Sequence, residues 1–177
     1  MLPFRLLGRH SPLAEHAESW IRSLTPEFDG EQGNAFWEWI LEHHGSGACL
    51  NEPLLDTYFF CRIHDGKLVA TASLVQDDRD VGEKYDISGI WLGGVMVKRE
   101  ERNAGIMKAA FHSLDAFIQA AVDARGAALT VNLFTTSPPF RHLCSVYRFE
   151  SRGFIDVEFF GKAEERFEKV YNPRPIL

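Results

Sequence analysis

The chain has 177 residues, 45% of them hydrophobic and 25% charged, with a formal net charge of -6 at pH 7. That length suits one domain with its own core, and the negative balance argues against nucleic acid as a main partner, because phosphate backbones demand a basic surface; a cationic substrate is easier to reconcile with it. No apolar run approaches the roughly 20 residues of a membrane helix, and Met1-Leu2-Pro3-Phe4-Arg5 lacks the form of a secretory signal, so no membrane association and a cytoplasmic address are expected.

In chain order, a short strand near Phe4 precedes two helices, 11–24 and 34–44. The second carries Phe36, Trp39 and Ile40 for the core, or an aromatic and acidic wall able to face a cation. Its His43-His44 pair has no companions at metal-ligand spacing, so no metal is expected. Cys49, Cys61 and Cys144 are odd in number, far apart and without C-x-x-C spacing, which predicts reduced thiols. Strands 57–63 and 68–75 flank Asp65-Gly66, a strong hairpin signal. A charged loop, 76–86, leads to a long strand, 87–97, interrupted by Gly93-Gly94; glycine inside a strand marks a bulge or a close approach to the backbone.

From 105 to 125 the apolar residues Ile106, Ala110, Leu114, Phe117 and Ala121 recur at helical spacing, with Lys108, His112, Asp115 and Gln119 on the other face. Gly126 ends this helix, and 127–134 reads as a buried strand, so strand, crossover helix and strand make a parallel pair. After the turn-forming Ser137-Pro138-Pro139, a helix over 141–151 closes at Gly153, a strand follows over 154–160, and a C-terminal strand and proline-rich tail occupy 161–177.

The junction between the strand ending at Val97 and the helix starting at Gly105 makes an anion site, because the first turn of a helix leaves backbone N–H groups without partners and concentrates partial positive charge. The segment Val95-Met96-Val97 followed by Arg102, Gly105 and Met107 resembles the V-x-V and R-x-x-G-x-G/A pyrophosphate loop of the GNAT superfamily of acyl-CoA-dependent N-acyltransferases. Met107 departs from the family's Gly or Ala; backbone amides do the binding, so a Met directed into the core still presents its N–H. Phe149-Glu150-Ser151-Arg152-Gly153-Phe154 is similar to the Y-E-x-x-G-F signature that ends the last conserved helix of that superfamily. The resemblance covers about residues 57 to 160 and leaves the helical N-terminal region, 1–56, as the acceptor side of a single domain spanning 1–177.

The resemblance implies a mixed, twisted α/β sheet of about six to seven strands, helices on both faces, and central strands, 87–97 and 127–134, that splay to admit the pantetheine arm. It implies acetyl transfer from acetyl-CoA to a primary amine of a small molecule, peptide or protein, by a monomer or homodimer. Val95, Met96, Val97, Arg102, Asn103, Ala104, Gly105, Ile106, Met107 and Phe149 are then the cofactor-binding residues.

Three demands of that reaction differ in size. Freeing an alkyl amine of pKa about 10.4 from its proton at pH 7 costs about 4.6 kcal/mol. One N–H aimed at the developing oxyanion contributes roughly 3 kcal/mol. A thiolate with a thiol pKa of about 8.5 departs unprotonated for about 2 kcal/mol. The family's proton donor to that thiolate, the signature Tyr, is Phe149 here. On a helix running to 151, Ser145 and His142 share the face of Phe149 and Tyr147 points away. His142 is therefore a candidate donor or cofactor contact, or simply a surface histidine at a helix start.

The strand over 87–97 contains no acid, so Asp86, just before it, is the first choice for general base by position, with Glu83 in the preceding loop. Two other readings stay open on the sequence: a non-catalytic acyl-CoA-binding module of the same fold, and an α/β domain holding another phosphate ligand at residues 102–107.

Overall fold

The structure is a computed structural model, and its described residues are 5–7, 58–64, 67–75, 81–157 and 161–175. They form β1 (Arg5–Leu7), β2 (Tyr58–His64), β3 (Lys67–Val75), α1 (Val81–Lys84), β4 (Ile90–Val97), α2 (Ile106–Arg125), β5 (Leu129–Thr135), α3 (Pro138–Val146), β6 (Glu150–Val157) and β7 (Lys162–Tyr171). The helices expected over 11–24 and 34–44, the Asp65-Gly66 turn, Cys49 and the His43-His44 pair lie outside the described residues. Two compact units divide the chain, one of Met1–Val75 with Gly93–Ala110 and one of Gln76–Leu92 with Phe111–Leu177. The boundaries fall inside β4 and inside α2.

In the first unit β1 pairs antiparallel with β2, and β2 with β3, through pairs such as Phe60↔Ala72 and Cys61↔Thr71. Alternation of small and branched side chains along β3 suits a strand closed in by neighbours, and Val69, Ala70, Thr71, Ala72 and Leu74 are all buried. Ala70, Val97 and Ile106 form a buried cluster against which Met107 packs, so the end of β4 and the start of α2 share one anchor.

In the second unit β4 runs parallel to β5 through Ile90↔Val131 and Trp91↔Asn132, β5 is antiparallel to β7 from Leu129↔Tyr171 to Thr135↔Glu165, and β7 is antiparallel to β6. This unit alone therefore has the mixed parallel and antiparallel character expected of the fold, with α2 as the link between the parallel strands. The apolar stripe of α2 buries Phe111, Leu114, Ile118, Ala121 and Val122 here. Part of its polar side is engaged rather than free: Asp115 accepts from the Tyr171 hydroxyl at 2.8 Å and pairs with Lys169, while Gln119 donates to Asn172 O at 2.9 Å.

Several element boundaries differ from expectation, among them β6, which starts at Glu150 instead of 154, and β5, which spans Leu129–Thr135 instead of 127–134. The loop over 76–86 includes the helical turn α1. Strand β4 starts at Ile90, three residues late, because Asp86 and Gly89 take positive φ and keep the preceding segment out of extended geometry. Helix α3 spans Pro138–Val146 instead of 141–151, since Pro138 and Pro139 occupy its first positions, where a missing N–H costs nothing.

Candidate active site

Between Val97 and Ile106 the backbone leaves the core and becomes exposed. The Lys98 N–H donates to Val69 O at 2.9 Å, Arg99–Glu101 form a single tight helical turn, and Arg102 Nε reaches back to Val97 O at 3.1 Å. Asn103 and Gly105 then adopt φ of 67° and 73°, with Ala104 between them outside the left-handed region. Alternation of this kind curls successive peptide N–H groups toward one side, a concavity suited to an anion. The first hydrogen bond across the start of α2 runs from the Ala109 N–H to Gly105 O at 3.0 Å, so the Ile106 and Met107 amides precede it in the helix. A Cβ placed on Gly105 would meet nothing within 4 Å, and residues 102–105 are exposed. The space beyond Gly105 lies at the N-terminal, positive end of a 20-residue helix. Met107, the departure from the family loop, packs toward the Ala70, Val97 and Ile106 cluster, leaving its amide as the part that belongs to the turn.

Upstream, within β4, Gly94 has φ of 57°, a conformation that favours glycine, and its carbonyl accepts from the fully buried Thr71 hydroxyl at 2.9 Å. Gly94, Val95 and Met96 are half-buried whereas Val97 is buried.

Asp86 lies in the second unit, exposed, at φ of 51° in the turn after α1. Its N–H donates to Glu83 O at 3.3 Å and the next one, of Ile87, to Gly82 O at 2.8 Å. Buried Asn132 fixes the far side of this turn, its Nδ2 donating to Ser88 O at 3.0 Å while its Oδ1 accepts from Arg166 at 2.7 Å. The sequence reading did not single out Asn132; an amide side chain in the mainly apolar run 127–134 was its only signal. His142 is exposed on α3.

Phe149 stands apart from α3, which corrects the helical-face argument. The helix closes with the Phe149 N–H on Cys144 O at 2.8 Å and the Arg148 N–H on Ser145 O at 3.1 Å, with Arg148 at φ of 62°. This is the paired closure that glycine usually completes, and Arg148 occupies the glycine's place. Gly153 instead lies within β6, where the register with β7 shifts between Ser151 and Phe154. His142 and Ser145 therefore share no helix face with Phe149, and Tyr147 does not point away from it: the rings of Tyr147 and Phe149 both pack on Phe111, at 5.5 and 6.4 Å between centroids. No glycine flagged the closure at Arg148, though the double proline at the start of α3 could have set its register. The Cys144 thiol, fully buried, is pushed up to about 12 by loss of solvent and stays protonated at neutral pH.

Among the described residues no cluster of three His, Cys, Asp or Glu could hold a metal, and no helix is long and apolar enough to cross a membrane.

A search of curated protein sequences finds no match to this chain. Solved structures similar to it include an aminoglycoside 6'-N-acetyltransferase complexed with coenzyme A, at 15% identity and a TM-score of 0.59 over 99% of this chain and 100% of that one. A histone acetyltransferase HPA2 and related acetyltransferase from Corynebacterium glutamicum aligns at 15% identity and a TM-score of 0.63, covering 99% and 100%. An acyl-CoA N-acyltransferase from Pseudomonas aeruginosa aligns at 15% identity and 0.62, covering 96% and 99%. These likenesses establish the fold. The model of the acetyltransferase (GNAT) family matches residues 14–154, most of the chain, and the chain therefore belongs to the GNAT acetyltransferase family.

Proposed function

We propose that this acetyltransferase moves an acetyl group from acetyl-CoA to a primary amine by direct attack. The observation that carries the reading is the exposed turn at Asn103–Gly105, which opens onto the amides of Ile106 and Met107 and leaves space beyond Gly105. Arg102, Asn103, Ala104, Gly105, Ile106 and Met107 hold the diphosphate, and the peptide groups at Val95, Met96 and Val97 bond the pantetheine arm and the thioester oxygen. A structural relative bound to coenzyme A supports the cosubstrate.

In the reaction the amine nitrogen bonds to the thioester carbon, the carbon–sulfur bond breaks, and the nitrogen loses a proton. Asp86 takes that proton, directly or through water; its turn is held at Glu83, Gly82 and Ser88, which gives the carboxylate a fixed origin. An amine of low intrinsic pKa needs little more than this exposed base. The departing thiolate demands only about 2 kcal/mol. The family's signature Tyr is Phe149 in this chain, and His142, exposed on α3, is the candidate donor to that thiolate.

The test is thiol release from acetyl-CoA with a panel of amines, amino acids and peptides, alongside binding isotherms with CoA, ATP and NAD. Turnover with any amine supports the transferase. CoA binding without turnover across the panel supports a non-catalytic acyl-CoA-binding module, and preference for ATP or NAD over CoA defeats both.

A further inference from the structure

We propose that Thr71 is a positioning residue that aims the Val95 N–H at the thioester oxygen, an assignment that rests on the transferase reading above. Thr71 is wholly buried on β3, opposite Cys61 of β2. A valine has the same shape and would bury at no polar cost, whereas a hydroxyl must find an acceptor. This one finds Gly94 O, 2.9 Å away and 23 residues along the chain. The acceptor is the carbonyl of Gly94, whose φ of 57° lies in the left-handed region within β4.

Gly94 C=O and Val95 N–H belong to the same planar peptide unit. No cis peptide bond occurs among the described residues, so the two point in opposite directions. A hydrogen bond that holds the carbonyl toward β3 therefore turns the Val95 N–H away from β3. It also polarises the unit, making that N–H a stronger donor. Left-handed geometry at Gly94 lets this peptide plane rotate out of the ladder, and the Thr71 hydroxyl selects one rotation. Without it, Gly94 has access to several backbone conformations and the donor loses its fixed direction. A donor aimed in advance contributes most where charge develops, so the effect belongs to the chemical step more than to ground-state binding.

The experiment compares Thr71→Val, Thr71→Ser and wild type by acetyl-CoA turnover, together with the amide nitrogen and proton resonances of Val95 in the ligand-free protein. Thr71→Val should lower kcat about tenfold, equivalent to about 1.4 kcal/mol, with KM for acetyl-CoA within about twofold, and should move the Val95 resonance. Thr71→Ser keeps the hydroxyl and should restore kcat to within about threefold and the resonance to its place. Thr71→Cys, of similar size with a weak donor, replaces the valine variant if that does not fold and should fall between. Unchanged kcat in Thr71→Val, or a Ser variant as slow as Val, overturns the assignment. A wild type that neither binds nor turns over acetyl-CoA defeats the transferase reading instead, and the Val95 resonance then reports separately whether the tether exists.

Discussion

Substitution at Gly105 separates charge from shape in the anion turn. A Cβ at this position meets no protein atom within 4 Å, so a side chain there projects into the space assigned to the diphosphate. The φ of 73° costs any L-residue about 1 kcal/mol in stability, less for Asn and Asp, which tolerate the left-handed region. Asn and Asp have nearly the same size and conformational tolerance, so Gly105→Asp compared with Gly105→Asn isolates one negative charge. At about 5 Å from a phosphate charge, that charge opposes binding by about 1 kcal/mol in a water-like medium and about 3 kcal/mol at an effective dielectric of about 20. CoA should therefore bind the Asp variant between about fivefold and about 150-fold more weakly than the Asn variant. Exposure of the turn places the result toward the lower figure, and the gap should narrow as salt rises. Calorimetric titration with CoA at low and high salt measures both. Equal affinities for the two variants at low salt would refute the placement of the diphosphate.

Met107→Ala removes a partly buried side chain from the Ala70, Val97 and Ile106 cluster; it should cost about 1–2 kcal/mol in denaturant unfolding while leaving the CoA Kd within about threefold, because only its amide belongs to the turn. Arg148→Gly relieves a left-handed non-glycine residue at the end of α3 and should stabilise by about 1 kcal/mol, seen as a rise in Tm of roughly 2–4 °C. The C-terminal tail is tied to α2 by Arg174, whose guanidinium and backbone N–H bond Asp123 and hold that carboxyl down from 3.8 to about 2. A depressed folded value means the tie is complete above pH 3.8 and is lost as pH falls toward 2; the Arg174 amide resonance should follow that course and should be displaced at neutral pH in Asp123→Asn.

The local signals were read well where they were strong. Helix α2 begins within a residue of its predicted start and ends at the predicted Arg125, because its apolar spacing and the closing Gly126 are both in the sequence. Strands β2 and β3 lie on either side of Asp65-Gly66, as alternation and turn chemistry required. The second helix of the core was misread because Arg148 closes it without being glycine, and the glycine that does occur, Gly153, belongs to a strand irregularity. Propensity ranks glycine first for a left-handed position, but here Arg148 takes it, with φ of 62°, just before the buried Phe149.

The sequence by itself determined the family and the order of the main described elements from the hairpin to the C-terminal strand, since these depend on short-range periodicity and turn residues. Tertiary structure alone decided that Thr71 meets Gly94 and that Asn132 holds the turn carrying Asp86. It likewise decided that Asp115 is claimed by Lys169 and Tyr171. Each of these joins residues far apart in the chain, and a hydrogen bond of that kind leaves no periodic trace: it exists only when packing brings a buried polar group to the one acceptor within reach.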